Sequence, residues 1–273
     1  MQAAADAIAL TSLETAERFA RAAEARGGGF RASELVARSL LLQGRNREAD
    51  AVLDGFDPAS LTEFELAQWG ITRVANLRWS IGDTEAAERI LAMLQQRLTH
   101  PMLRLVLDGL RAALLVLDGH LEQAAAVADQ VLAAPNGPAV AVGWAVFGGV
   151  TAAALTGRTA DAARLAARGR DVYPDVDALL RFLLTLGEVR MLTLTGQFDA
   201  ARSRSGDLVR ITSPGQFRAR AMAHVLAATV EVGRGSMPWD GASGRAVVLD
   251  FPGAYGLDPV SPDEALTRDL LIG

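Results

Sequence analysis

The sequence predicts an all-α chain in which helical hairpins stack into a right-handed superhelical solenoid. Three spacings carry that prediction. A glycine recurs at Gly44, Gly82, Gly119, Gly157 and Gly196, at intervals of 38, 37, 38 and 39 residues. Five residues after each stands an alanine: Ala49, Ala87, Ala124, Ala162 and Ala201. A proline follows in every unit, at Pro58, Pro101, Pro135, Pro174 and Pro214. Composition agrees: the 273 residues are 50% hydrophobic but only 5% aromatic, which suits packed helices better than sheets built on β-branched and aromatic side chains.

Glycine inside a helix costs about 1 kcal/mol relative to alanine, so five glycines at one period read as turns. Each permits the φ > 0 conformation that ends a helix. Residues 11–26 read as the second helix of a unit whose first helix is incomplete, with 1–29 as a partial N-terminal cap. Units one to five follow around "LLLQGRNREADAVL", "LRWSIGDTEAAERIL", "LLVLDGHLEQAAAVA", "AAALTGRTADAARLA" and "LTGQFDAA". Asp83, Thr159 and Asp199 suit the positive N-terminal ends of the second helices. The alanine one turn in lets two backbones approach, and the proline turns the chain into the next unit. A degenerate sixth unit has Gly233 as its candidate turn, so the solenoid spans 30–235. Residues 236–273 read as an irregular Gly/Pro-rich tail with one short strand. Residues 130–157 carry no charge, but Asn136-Gly137-Pro138 breaks them into a turn and a short helix. They read as a buried helix, not a membrane span.

Glycine, alanine at the fifth position and a later proline resemble the tetratricopeptide (TPR) repeat, with 37–39 residues per unit in place of 34 and aliphatic residues at most of its aromatic positions. "RVANLRWSIGDTEAAERIL" and "AAALTGRTADAARLAARG" are similar to the TPR-like region of large bacterial LuxR-type transcriptional regulators of the MalT-like class. The resemblance covers about residues 10–235. It implies a sensor region normally flanked by an N-terminal ATPase and a C-terminal helix-turn-helix. Neither is expected here: Gly27-Gly28-Gly29 has no lysine after it, and no basic helix-turn-helix closes the chain.

Several chemistries are excluded. There is no cysteine, hence no disulfide and no thiolate metal site. All 27 basic residues are arginine, so P-loop and Schiff-base lysines are absent. A net charge of −5 with pI about 5.3 opposes direct nucleic-acid binding. His100, His120 and His224 fall in separate units without metal-ligand spacing. Glu85/Glu88 and Asp263/Glu264 read as solvated, and "GASGR" at 241–245 falls short of a nucleophile elbow. No catalytic residue, cofactor or metal is expected; the chain is not read as an enzyme.

A concave groove is the remaining candidate. Counting ten, six, three and two residues back from each glycine gives Glu34, Arg38, Leu41 and Leu42 in unit one, and Thr72, Asn76, Trp79 and Ser80 in unit two. Unit four gives Phe147, Thr151, Ala154 and Leu155; unit five gives Leu186, Arg190, Thr193 and Leu194. The candidate binding residues are therefore Arg38, Thr72, Asn76, Trp79, Phe147, Thr151 and Arg190, a mixture suited to an amphipathic peptide or small effector. The competing reading makes Trp69, Trp79, Trp144 and Phe147 ordinary packing between repeats, and pairs Arg38 and Arg190 with neighbouring carboxylates. The expected function is a non-catalytic ligand- or protein-binding module of a bacterial, cytoplasmic signalling or transcription regulator. The alternative is a stand-alone TPR-like scaffold holding a peptide or partner protein.

Overall fold

The computed structural model describes residue 3 and residues 12–211 and 217–233, and the described chain is all-helical. Residues 1–2 and 4–11 of the expected 1–29 cap, Pro214 and the expected tail at 236–273 lie outside the described residues. The α-helices are α1 (Leu13–Glu24), α2 (Gly29–Leu42), α3 (Asn46–Asp54), α4 (Glu63–Asn76), α5 (Thr84–Arg97) and α6 (Pro101–Leu117), then α7 (Leu121–Ala133), α8 (Ala139–Leu155), α9 (Thr159–Val172), α10 (Ala178–Leu194), α11 (Phe198–Ile211) and α12 (Phe217–Gly233). Pro58–Ser60 and Tyr173–Asp175 form short 3₁₀ turns, and Leu77–Ile81 forms a π turn.

The repeat period becomes geometry at the turns. Gly44, Gly82, Gly119, Gly157 and Gly196 all have φ between 74° and 85°, a region that a side chain makes costly. After α2, α6, α8 and α10 the chain closes the same cap: the glycine N–H donates three residues back, and the next N–H five residues back. Arg45, His120, Arg158 and Gln197 make that second bond at 2.8–2.9 Å. This is the Schellman arrangement, which satisfies carbonyls a helix end would leave unpaired. The five alanines are each 0% exposed, seated where the second helix meets its neighbours. Of the prolines, Pro101 opens α6 and Pro58 and Pro174 sit in the 3₁₀ turns.

Each helix packs closely on helices of its own or the adjoining unit. The approach is closest between α6 and α8. A Cβ at Gly109 would lie 2.6 Å from the Ala141 carbonyl oxygen, and one at Gly148 would lie 2.7 Å from the Ala112 carbonyl. Both helices therefore meet through backbone, with glycine and alanine between them. Helix α8 is the centre of the array: every residue from Ala141 to Ala154 is buried, against α6, α7, α9 and α10. Its uniform apolarity reflects burial on all sides, and no described helix is long and apolar enough to cross a membrane.

At the N-terminal end, α1 stops at Gly27 (φ 81°) in the same cap that ends α2. It is docked by Glu17, which accepts from Gln43 Nε2 at 3.0 Å and Arg45 Nη1 at 2.7 Å beside the first turn glycine. Burial alone would raise the Glu17 carboxyl; the bonds from Gln43 and Arg21 and the charge of Arg45 hold it below its usual range.

Candidate functional site

The predicted inner positions lie on the first helices of units one, two, four and five (α2, α4 with the π turn after it, α8 and α10), and the structure divides the candidate binding residues into two groups. Asn76, Phe147 and Thr151 are 3%, 4% and 3% exposed and are used within the fold. Asn76 donates to the Asn46 carbonyl at 2.9 Å, and Thr151 donates back to Phe147 O at 2.8 Å. Phe147 packs beside Gly187 of α10. None of the three offers a surface in this state. Arg38, Thr72 and Trp79 are partly exposed and Arg190 is exposed.

The unit-two assignments also need a register correction. Met102, Val140 and Leu179, each the second residue of its helix, lie 17 residues before their turn glycines, whereas Phe64, the second residue of α4, lies 18 before Gly82. The additional residue is taken up in the π turn Leu77–Ile81, where Gly82 N–H bonds to Leu77 O. Counting back from Gly82 therefore lands on Thr72 and Asn76 where Ile71 and Ala75 are the repeat equivalents. The π turn, a local widening common at functional sites, re-aims its own side chains. The Arg78 guanidinium, 7% exposed, reaches Asp118 of the next unit and Thr84 Oγ1. The Trp79 ring lies 5.5 Å from that of Trp144, tilted by 33°, joining unit two to unit four. Trp69 is buried and donates from Nε1 to Leu53 O at 2.8 Å, with Arg73 over its ring. The aromatic residues thus serve as packing between units.

A second contact also spans beyond adjoining units. Arg38 of α2 pairs with Asp177 at 3.4 Å and with Glu34, one turn earlier, at 3.6 Å. Asp177 caps α10, accepting from Leu180 N–H at 2.9 Å. Unit one therefore touches the entrance to unit five. Glu34 is buried; that burial raises its carboxyl pKa, Arg38 opposes the rise, Asp177 adds to it, and Arg31 opposes it again. Arg190, by contrast, is exposed and makes no ion pair or hydrogen bond among the described residues.

Counting back from the glycines missed the exposed end of this face. Phe64, Met102, Val140 and Leu179 are 58%, 39%, 40% and 41% exposed. They recur at 38, 38 and 39 residues, so the repeat period itself was the signal that could have found them. In α8 the series Val140, Trp144, Phe147, Thr151, Leu155 steps by four, three, four and four residues, which is one helix face. That face is exposed at Val140 and Leu155 and buried between them. Leu179 and Leu194 repeat the pattern at the two ends of α10, with Leu194 57% exposed. The face has apolar rims and a covered middle.

Elsewhere, Glu188 of α10 is buried and holds Arg170 of α9 at 2.5 Å and Arg204 of α11 at 2.7 Å, an ion triad that ties three helices. His100 caps α6 through Nδ1, and His120 and His224 are exposed. Among the described residues no cluster of three His, Cys, Asp or Glu could hold a metal ion. Comparison with known proteins finds no matching family model, and no curated protein or solved structure with significant similarity.

Proposed function

We propose that the chain is a non-catalytic binding module, a right-handed TPR-like superhelix that takes an amphipathic segment of a partner protein along the inner face of its first helices. The observation that carries this reading is the apolar line Phe64, Met102, Val140 and Leu179, exposed at one repeat position through four consecutive units. Scattered exposed apolar residues are ordinary on a surface, whereas aligned ones form the patch a partner buries. Helix axes in contact lie about 8–10 Å apart, close to the roughly 10 Å advance of seven residues along an α-helix, so a partner helix can place one apolar residue on each unit. Arg190, without a side-chain partner among the described residues and one turn before the exposed Leu194 at the far rim, favours a carboxylate on that side. In keeping with the repeat resemblance, the module serves a cytoplasmic bacterial signalling or transcription regulator, with DNA contacted by other chains or domains.

The test is native mass spectrometry of the full chain purified gently from its own host, followed by the same measurement on Met102→Ser with Leu179→Ser. A retained polypeptide lost in that variant, with melting temperature unchanged, supports the reading. Retention equal to wild type refutes the rim as the binding surface. A retained small molecule in place of a polypeptide replaces the partner protein with an effector.

A further inference from the structure

Asn76, Phe147 and Thr151 are buried by their own and adjoining units, but two contacts of the chain reach past the adjoining unit. Trp144 of unit four lies under Trp79 of unit two. Unit one is joined to unit five by Arg38–Asp177 at 3.4 Å, with side chains 33% and 49% exposed. The two contacts differ in kind from those between adjoining units. At the centre, α6 and α8 meet backbone to backbone, with no room for a Cβ at Gly109 or Gly148, so that junction has no slack. The contacts that reach further are side-chain tips and a half-solvated ion pair.

We infer that Arg38–Asp177 is an autoinhibitory latch: while it is closed, Trp79 of unit two stays on Trp144 of α8, and a partner helix seated on the apolar rims reaches Trp144 only when units one and two swing away. The inference rests on the proposed binding face and adds its regulation. The charges around the latch fit that role. Arg38 stands between two carboxylates, Glu34 and Asp177, while Arg31 acts on Glu34 from the start of α2. A partner carboxylate competes with Asp177 for Arg38, so binding and opening are coupled. In the closed state the apparent affinity is reduced by the fraction of molecules that are open.

The chain has no cysteine, so two engineered thiols report on the latch without background. Spin labels on Arg47→Cys in unit one and Asp175→Cys before unit five, both exposed, give the distance distribution between the units in the full chain. Three backgrounds are compared: wild type, Arg38→Gln and Asp177→Asn. Asparagine keeps the cap on α10, so this last variant removes the charge without loosening the helix. The expected result is a longer-distance population whose ratio to the closed one rises about two- to five-fold in both variants, the range for a part-exposed ion pair. Arg38→Lys, which keeps the charge, stays near wild type. The near-ultraviolet circular dichroism of the Trp79–Trp144 pair falls in parallel. Unchanged distances in both variants, or longer distances with the tryptophan signal intact, overturn the latch. No partner is present in this experiment. A chain that opens here but retains no partner in the mass-spectrometric test refutes the proposed function and leaves the Arg38–Asp177 switch between closed and open states standing, whereas unchanged distances refute the latch alone.

Discussion

Replacing Gly148 with alanine adds one methyl group where the chain has no place for it. The new Cβ would lie 2.7 Å from both the carbonyl carbon and oxygen of Ala112, and 2.9 Å from Ala113 N. Ordinary contact begins at 3.4 Å, so α6 and α8 must separate by about 0.7 Å, the difference between 3.4 and 2.7. The obstructing atoms are backbone, so no rotamer change relieves them. Overpacking of this kind costs about 1–3 kcal/mol, and the displacement spreads because α8 also touches α7, α9 and α10. Against it stands the helix propensity of alanine over glycine, worth about 1 kcal/mol. Because the obstructing atoms are backbone, the clash falls in the upper part of that range, about 2–3 kcal/mol, and wins by about 1–2 kcal/mol, which lowers the melting temperature by about 2–8 °C at this chain length. Gly206→Ala supplies the internal control. It lies within α11 with nothing inside 4 Å of its added Cβ, so only the propensity acts and stability rises by up to about 1 kcal/mol. Calorimetry of the two variants beside wild type is the assay. If Gly148→Ala melts at or above wild type, the backbone-to-backbone junction is wrong.

Two further predictions concern the turns and the buried carboxylate. Gly157 has φ 74° with open space around its Cβ position, so Gly157→Val is strained by backbone alone, at about 1–3 kcal/mol, while Gly157→Asn costs much less because asparagine tolerates that region; equal melting points for the two variants would count against the left-handed turn. Glu34 titrates above its ordinary value of 4.5 because burial disfavours its charge, so its contribution to stability is present below pH 4.5 and lost as pH rises through the raised value; denaturant titrations should find Glu34→Gln at least as stable as wild type at pH 7, with the advantage vanishing below pH 4.5, and a less stable variant at pH 7 would contradict this.

The hairpins were legible in the sequence because the turns have one chemical solution. A helix end that folds straight back needs φ > 0, glycine is the residue that allows it cheaply, and the five positions could be counted. The buried alanines followed for the same reason, since a helix that starts two residues after the turn glycine must bring its fourth position against the previous helix. The register in unit two was not legible. One additional residue between Phe64 and Gly82 could be a longer helix, a longer loop or a π turn, and local propensity does not choose among them. The choice is made by the tertiary contacts of Arg78 with Asp118 and of Trp79 with Trp144, residues 40 and 65 positions apart in sequence. The covered middle of the candidate face was hidden for a related reason. Counting positions along each helix says which face a residue occupies but not how successive units are set against one another, and that setting decides whether unit one can reach unit five.

How unit one comes to reach unit five depends on how closely the units between them pack. Between α6 and α8 the facing residues include Gly109, Ala112, Ala113, Ala141 and Gly148, and the helices close to backbone contact. Small residues there let units three and four close to backbone contact, and from that packing the chain brings Arg38 of unit one to Asp177 at the entrance to unit five. A substitution that widens the α6–α8 junction by a few tenths of an ångström is multiplied by the length of the arm that units one and two form, and it should open the Arg38–Asp177 gap even though neither residue is touched. Gly148→Ala, measured by the same pair of spin labels, therefore gives a second route to the open state, one that lengthens the distance while leaving every charge of the latch in place. If that distance stays at its wild-type value while the melting temperature falls, the junction sets stability only, and the approach of unit one to unit five is set elsewhere.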